Sequence, residues 1–129
     1  GSQLGCAAVI VMDDSTDIVK AVRRMVDFYA HESCGQCTPC REGSGWTAKI
    51  LRRVEAGQGT PADLDCLRNA GKYLQGMTIC PLADALGMPV ASYLQKFPEE
   101  FEEHVATGAC KHPAFSVAPP KDSIWEDKP

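Results

Sequence analysis

Three cysteines lie close together in the sequence, at Cys34, Cys37 and Cys40. Their spacing, C-x2-C-x2-C, lets one short loop direct three thiolates at a single object. A cubane iron–sulfur cluster requires this arrangement, because one loop holds three irons and a cysteine from elsewhere holds the fourth. Structural zinc more often takes two separated C-x2-C pairs, so a third cysteine in the same loop fits zinc less well. The pattern therefore predicts a cluster-binding loop.

The fourth ligand has four candidates, namely Cys6, Cys66, Cys80 and Cys110. Cys80 is favoured because Pro81 follows it and helical patterns flank it, so a loop is expected at this point. A Cys-Pro step also occupies the fourth position of bacterial ferredoxin-type runs. Cys66 lies inside a helical pattern and is predicted to be a small buried hydrophobe.

The composition limits the kind of protein that carries this loop. The chain has 129 residues, of which 44% are hydrophobic, 23% are charged and seven are cysteines. These values fit one small globular domain with a flanking piece. The net charge of −4 argues against nucleic acid as a partner. The longest apolar run, residues 7–12, is far shorter than the roughly 20 residues of a membrane span. An odd number of clustered cysteines and no secretory signal pattern favour a reducing compartment.

The elements that must position the cysteines are mostly helices. Residues 6–12 are short, apolar and β-branched, which predicts one buried strand whose partner strands lie outside this chain. Asp14 or Ser15 is then the expected N-cap of a helix over residues 15–30. A second helix, expected to begin after Arg41, is indicated by the helical spacing of Trp46, Ile50, Leu51 and Val54.

Turn and cap residues divide the rest of the chain. Residues 57–59 end the second helix, and Thr60, Pro61 and Asp63 predict a capped start for the third. A short helical stretch follows Cys80, with a break expected near Gly87 and Pro89. Beyond it a helix or a pair of turns carries Val90, Tyr93, Leu94, Phe101 and Val105. The proline-containing end is predicted to be an extended or disordered tail. Helices of this number and length make a small bundle.

A resemblance extends this interpretation. The string YAHESCGQCTPCREG at residues 29–43 is followed by TICPL at residues 78–82. Together they resemble the C-terminal iron–sulfur region of the flavin-binding, NADH-oxidising subunit of NADH:quinone oxidoreductase (respiratory complex I). The related diaphorase subunits of NAD-linked hydrogenases and formate dehydrogenases share the pattern. The similarity runs from the predicted strand to about Val105.

The resemblance implies a site and a domain arrangement. Cys34, Cys37, Cys40 and Cys80 would hold one [4Fe–4S] cluster in an all-α bundle over residues 15–108. Residues 1–14 would end a preceding β-grasp domain, and residues 109–129 would form the irregular tail. FMN and NAD(H) would bind in the upstream part of the parent subunit, since this sequence has no glycine-rich phosphate loop.

The expected function is a one-electron relay that takes electrons from FMN reduced by NADH and passes them to the next iron–sulfur centre. The chain would be the electron-transfer part of an NADH dehydrogenase complex rather than an enzyme alone. Its partners would be the upstream flavin-binding domain and neighbouring iron–sulfur subunits. The expected location is cytoplasmic, with any membrane association made through a larger complex. A zinc-stabilised interaction module and a thiol–disulfide switch are the alternatives.

Other polar residues receive weaker assignments from the sequence. Arg41 places a positive charge beside the loop, either to tune an anionic cluster or as a solvated surface charge. His31 is interpreted as a structural histidine, and Glu32 and Ser33 as residues that brace the loop. No constellation surrounds the other two histidines, and four glutamates are predicted to form a solvated face. These residues are His104, His112, Glu99, Glu100, Glu102 and Glu103.

Overall fold

The computed structural model describes Gly5 and residues 7–109, and these form a bundle of five helices. The helices are α1 (Ile18–Glu32), α2 (Thr38–Glu55), α3 (Pro61–Tyr73), α4 (Leu82–Lys96) and α5 (Pro98–Thr107). The most extensive contacts join α1 to α2 and α3 to α4, and α5 touches all four other helices. No strand occurs among the described residues, so the predicted all-α bundle is confirmed.

The core is built from apolar stripes at helical spacing, as the sequence predicts. Each helix turns its buried residues toward the centre because positions three or four apart share one face. Leu51 of α2 and Leu67 of α3 are completely buried. The other core residues are Ile18, Val19, Val22, Val26, Cys40, Ala48, Val54, Leu64, Leu74, Ala83, Leu86, Val90, Leu94 and Phe101.

Residues 7–12 differ from the predicted buried strand. They lie in no helix or strand, and the side chains of Val9, Ile10 and Val11 are 79%, 82% and 90% exposed. A strand needs a neighbour for its backbone hydrogen bonds and its apolar side chains, and the described part of this chain offers none. A strand completed by partners outside this chain stays a prediction.

The starts of α1 and α2 also differ from the predicted positions. Asp17, rather than Asp14 or Ser15, is the N-cap of α1, and its Oδ1 accepts a hydrogen bond from the Lys20 backbone N at 3.1 Å. Helix α2 begins at Thr38, inside the cysteine motif and not after Arg41. The motif therefore belongs partly to a helix.

The start of α3 agrees with the sequence. Thr60 is the N-cap and Pro61 is the first helical residue. Asp63 Oδ2 accepts hydrogen bonds from the Thr60 backbone N at 2.8 Å and from Thr60 Oγ1 at 2.9 Å. Arg53 of α2 also donates to the Asp63 carboxylate, which lowers the pKa of that group. Arg53 thus ties α2 to the first turn of α3.

The predicted break near Gly87 and Pro89 is wrong, because α4 continues through both residues. Pro89 has no N–H to donate within the helix. Nevertheless Leu86, Val90 and Leu94 are at most 4% exposed, so the apolar stripe crosses the proline without interruption. Burial of this stripe outweighs one missing hydrogen bond. The break falls instead at Phe97, which ends α4 and precedes Pro98 at the start of α5.

Gly87 marks the place where α4 crosses α3. A Cβ atom added at Gly87 would lie 3.1 Å from the Gly71 carbonyl oxygen, and one added at Gly71 would lie 3.1 Å from the Ala91 backbone N. The two helices therefore approach at the level of their backbones. This contact fixes the position of the loop between α3 and α4, which carries Cys80.

Candidate metal centre

The N-terminus of α2 positions the three clustered cysteines. Cys37 is the N-cap residue with an extended backbone, and Pro39 lies in the first turn. Cys40 lies in that turn too and is only 7% exposed, whereas Cys34 in the preceding loop is exposed and Cys37 is half-buried. The three thiols therefore differ in their access to water, although they lie within a segment of seven residues.

The loop before α2 turns at Gly35 and accepts a hydrogen bond from Arg41. Gly35 has φ +80°, a left-handed conformation that glycine adopts without the strain of a side chain. Arg41 Nη1 donates to the Gly35 carbonyl oxygen at 2.7 Å, and Arg41 Nε donates to Glu42 Oε1 at 3.0 Å. Arg41 is thus more than a solvated surface charge, because it links the first turn of α2 to the loop between Cys34 and Cys37.

Ser33 braces the same loop, as the sequence predicts. Its Oγ lies 3.3 Å from Cys40 Sγ and accepts a hydrogen bond from the Gly35 backbone N at 3.4 Å. Glu32 Oε1 instead lies 3.0 Å from Nδ1 of His31, and both side chains are about half exposed. His31 is therefore a surface residue beside the loop.

The first turn of α2, which contains the end of the cysteine motif, has backbone N–H groups that no intrahelical hydrogen bond uses. The first intrahelical hydrogen bond runs from the Arg41 backbone N to the Cys37 carbonyl oxygen at 2.9 Å. The N–H groups of Thr38 and Cys40 precede it, and the Cys37 side chain makes no capping hydrogen bond. Such a helix start carries a partial positive charge and favours an anion. An anionic metal–thiolate group suits this position electrostatically.

Cys80 lies on a separate loop between α3 and α4. Its side chain is exposed, and its carbonyl oxygen accepts a hydrogen bond from Thr78 Oγ1 at 2.9 Å. Pro81 follows as the N-cap residue of α4. The Gly76 backbone N donates to Asp84 Oδ1 at 2.7 Å, which ties this loop to the first turn of α4. The predicted placement of Cys80 in a loop between two helices is confirmed.

The four predicted ligands are not gathered around one point. Within residues 7–109, no three His, Cys, Asp or Glu side chains are arranged to hold a metal ion. Cys34, Cys37, Cys40 and Cys80 are all free thiols. Thiolates are the ligands that iron–sulfur clusters use. The donor set therefore fits a cluster by its chemistry, although the geometry described is not that of a closed site.

The prediction that Cys66 is buried is wrong, because its side chain is exposed. Helix α3 turns Leu64, Leu67 and Gly71 toward the core. Cys66 follows Leu64 by two residues, about 200° around the helix axis, and so lies on the opposite face. The other two cysteines outside the predicted ligand set, Cys6 and Cys110, lie outside the described residues, as do His112 and residues 110–129 of the predicted tail.

The sequence does not predict a buried pair of polar side chains, His104 and Asp17. His104 is 1% exposed, its Nδ1 lies 2.8 Å from the Glu100 carbonyl oxygen, and its Nε2 lies 3.4 Å from Asp17 Oδ2. The hydrogen bond with Asp17 raises the pKa of His104 despite the opposing effect of burial. His104 follows Phe101 by three residues, so the helical register of α5 was the signal that would have revealed it.

The predicted acidic face is only partly solvated. Glu99 and Glu102 are exposed, whereas Glu100 and Glu103 are half-buried. Arg68 Nη2 of α3 lies 3.6 Å from Glu102 Oε1. This face therefore contacts another helix of the bundle at one point.

The fold and the thiol-rich start of α2 together define a small helical bundle that carries a cluster of free cysteines. Residues 20–104 match the family model described as the NADH-ubiquinone oxidoreductase-F iron-sulfur binding region. The match covers more than half of the chain, and the chain belongs to this family. The name of the family, NADH 4Fe–4S, agrees with the [4Fe–4S] cluster expected from the sequence.

Individual relatives agree with the family. The chain is 43% identical over 128 residues to a subunit of the NADH-quinone oxidoreductase of Streptomyces coelicolor, covering 99% of this chain and 27% of the relative. It is 50% identical over 104 residues to the mitochondrial NADH-ubiquinone oxidoreductase 51 kDa subunit of Neurospora crassa. This match covers 81% of the chain and 21% of the relative. The chain thus spans about a quarter of the length of these relatives.

A solved structure shares the fold. The NAD+-reducing [NiFe]-hydrogenase in its H2-reduced state matches with a TM-score of 0.69 and 35% identity, over 74% of this chain and 16% of the hydrogenase chain.

Among the residues that the structure describes, none of the helices combines the length and the apolar character that a membrane crossing needs.

Proposed function

We propose that Cys34, Cys37, Cys40 and Cys80 hold one [4Fe–4S] cluster. The observation that carries this proposal is the position of three free thiols at the N-terminus of α2 in a chain of the iron–sulfur family. Cys80 supplies the fourth thiol from a loop that precedes another helix. Cys66 is exposed but lies within α3, where the helix holds its side chain on the outer face.

The bound cluster supplies one-electron transfer, taking electrons from FMN reduced by NADH and passing them to the next iron–sulfur centre. The protein contributes position, burial and charge, which tune such a centre. The start of α2 contributes its N–H groups, and Arg41 contributes a positive charge whose Nη1 is fixed by the Gly35 carbonyl oxygen at 2.7 Å. Both favour the more negative, reduced state.

The chain works within a larger assembly. Residues 15–108 form the helical cluster-binding domain, and residues 1–14 are the end of a β-grasp domain. The upstream part of the parent subunit binds FMN and NAD(H), and neighbouring iron–sulfur subunits receive the electrons. The assembly lies on the cytoplasmic side, associated with a membrane through other subunits. The exposed apolar side chains of Val9, Ile10 and Val11 support a partner at the N-terminal segment.

A pair of cysteine substitutions tests the ligand assignment. Cys80→Ala is expected to lose most bound iron, because a cubane without its fourth thiolate ligand is readily lost. Cys66→Ala is the matched control, since both thiols are exposed and both substitutions remove one sulfur. The control is expected to bind as much iron as the unsubstituted chain. Loss of iron in Cys66→Ala with retention in Cys80→Ala would contradict the assignment.

A further inference from the structure

Ser33 offers a hydroxyl to one particular cysteine sulfur. It is the residue that ends α1, and its Oγ lies 3.3 Å from the Sγ of Cys40. We infer that Ser33 is a positioning residue that donates a hydrogen bond to the Cys40 thiolate and thereby raises the reduction potential of the cluster without being needed to retain it. This inference rests on the proposed function, since Cys40 must be a ligand.

The direction of this hydrogen bond follows from the partners of Ser33. A metal-bound thiolate carries no proton, so the hydroxyl must be the donor. The Gly35 backbone N donates to the same Oγ at 3.4 Å, which occupies a lone pair and leaves the O–H directed elsewhere. On the other side of Gly35, its carbonyl oxygen accepts a hydrogen bond from Arg41 Nη1 at 2.7 Å. The O–H of Ser33 is therefore left available to the sulfur, which lies 3.3 Å from Oγ.

Burial makes this sulfur the one where a protein donor matters most. Cys40 is 7% exposed, whereas Cys34 and Cys80 are exposed and can receive hydrogen bonds from water. Away from water, a hydrogen bond is electrostatically stronger and has no competing donor. Ser33 thus supplies at Cys40 what solvent supplies at the exposed cysteines.

The effect on the potential has a definite sign. Reduction adds negative charge that spreads onto the ligand sulfurs, and a donor to a sulfur stabilises that charge. The reduced state therefore gains more from the Ser33 hydroxyl than the oxidised state does. Removing the hydroxyl lowers the reduction potential.

A potentiometric titration of three variants tests the inference. Ser33→Ala is expected to bind unchanged iron but to show a lower midpoint potential, with a reduction equilibrium constant smaller by up to about tenfold, which corresponds to 59 mV for one electron. Ser33→Thr retains a hydroxyl and is expected to restore the potential. Ser44→Ala is the matched control, because the Ser44 hydroxyl also lies on this side of α2 but contacts the Arg41 carbonyl oxygen at 3.5 Å.

The outcomes separate this inference from the proposed function. An unchanged potential in a Ser33→Ala protein with full iron would overturn the inference alone. A lower iron content in Ser33→Ala would overturn the inference as well, since Ser33 would then be needed to retain the cluster. A chain that binds no iron before any substitution would overturn the proposed function itself.

Discussion

His104 and Asp17 form a buried pair that joins α5 to the first turn of α1. Asp17 Oδ2 faces the imidazole while its Oδ1 caps α1 through the Lys20 backbone N. The carboxylate raises the pKa of His104 above its ordinary value of 6.5, so the folded protein binds this proton more tightly than the unfolded chain does. The resulting stabilisation is complete below pH 6.5 and is lost as the pH rises through the folded-state pKa.

The pair predicts a measurable pH dependence. In urea titrations, the free energy of unfolding is expected to fall as the pH rises above 6.5 and through the raised pKa of His104. His104→Gln is expected to lower it by about 1–3 kcal/mol at about pH 6 and to flatten this slope, because the titrating group is gone. Asp17→Asn should flatten the slope in the same way. A slope that persists in both variants would show that another group causes it.

At the scale of single residues, the sequence shows a local cysteine motif but not a buried pair of polar groups that are distant along the chain. The spacing of Cys34, Cys37 and Cys40 is local, so it can be read without a fold. His104 and Asp17 are 87 residues apart, and only the packing of α5 against α1 brings them together. The exposure of Cys66 depends on which face of α3 is buried. The positions of Leu64 and Leu67 in the sequence already indicate that face.

At the scale of helices, the crossing of α3 and α4 depends on two glycines. Gly71→Ala is expected to lower the free energy of unfolding by about 1–3 kcal/mol, because the new Cβ would press on backbone atoms of Ala91 3.1 and 3.3 Å away. Gly45→Ala is the control within α2, where an added Cβ meets nothing within 4 Å. The control is expected to gain up to about 1 kcal/mol from helix propensity. Equal effects of the two substitutions in urea denaturation would contradict the close crossing.

The capping box of α3 makes a second prediction at this scale. Asp63→Asn is expected to cost about 1–2 kcal/mol of unfolding free energy, since it weakens the contacts with Thr60 and removes the ion pair with Arg53. Asp65→Asn is the matched control, because Asp65 is 71% exposed and pairs with Arg68 one turn further along α3. A larger loss in Asp65→Asn would contradict this account of the helix start.

Helix boundaries show why sequence patterns succeed at some elements and fail at others. Thr60, Pro61 and Asp63 act locally, and the start of α3 follows from them directly. The continuity of α4 through Pro89 depends instead on the burial of Leu86, Val90 and Leu94 by other helices. The sequence predicts too late a start for α2, because the first turn of this helix carries cysteines in place of an apolar stripe.

At the scale of the whole molecule, the bundle has a core that does not depend on the cysteine loop. Among the residues that the structure describes, sixteen hydrophobic ones are buried, and Cys40 is the one proposed ligand in this set. Binding of the proposed cluster to two loops would stabilise the folded state further by mass action. Removing the cluster with a chelator and ferricyanide is therefore expected to lower the melting temperature while most helical circular dichroism persists below the transition. Complete loss of helix on removal would contradict a core that folds on its own.

Metal analysis of the chain purified without oxygen shows whether these cysteines bind an iron–sulfur cluster or zinc. Iron, acid-labile sulfide and zinc are measured per chain, and the visible spectrum is recorded before and after dithionite. The account predicts a brown protein with about four irons and four sulfides that bleaches on reduction. A colourless protein with one tightly bound zinc and no iron would contradict it.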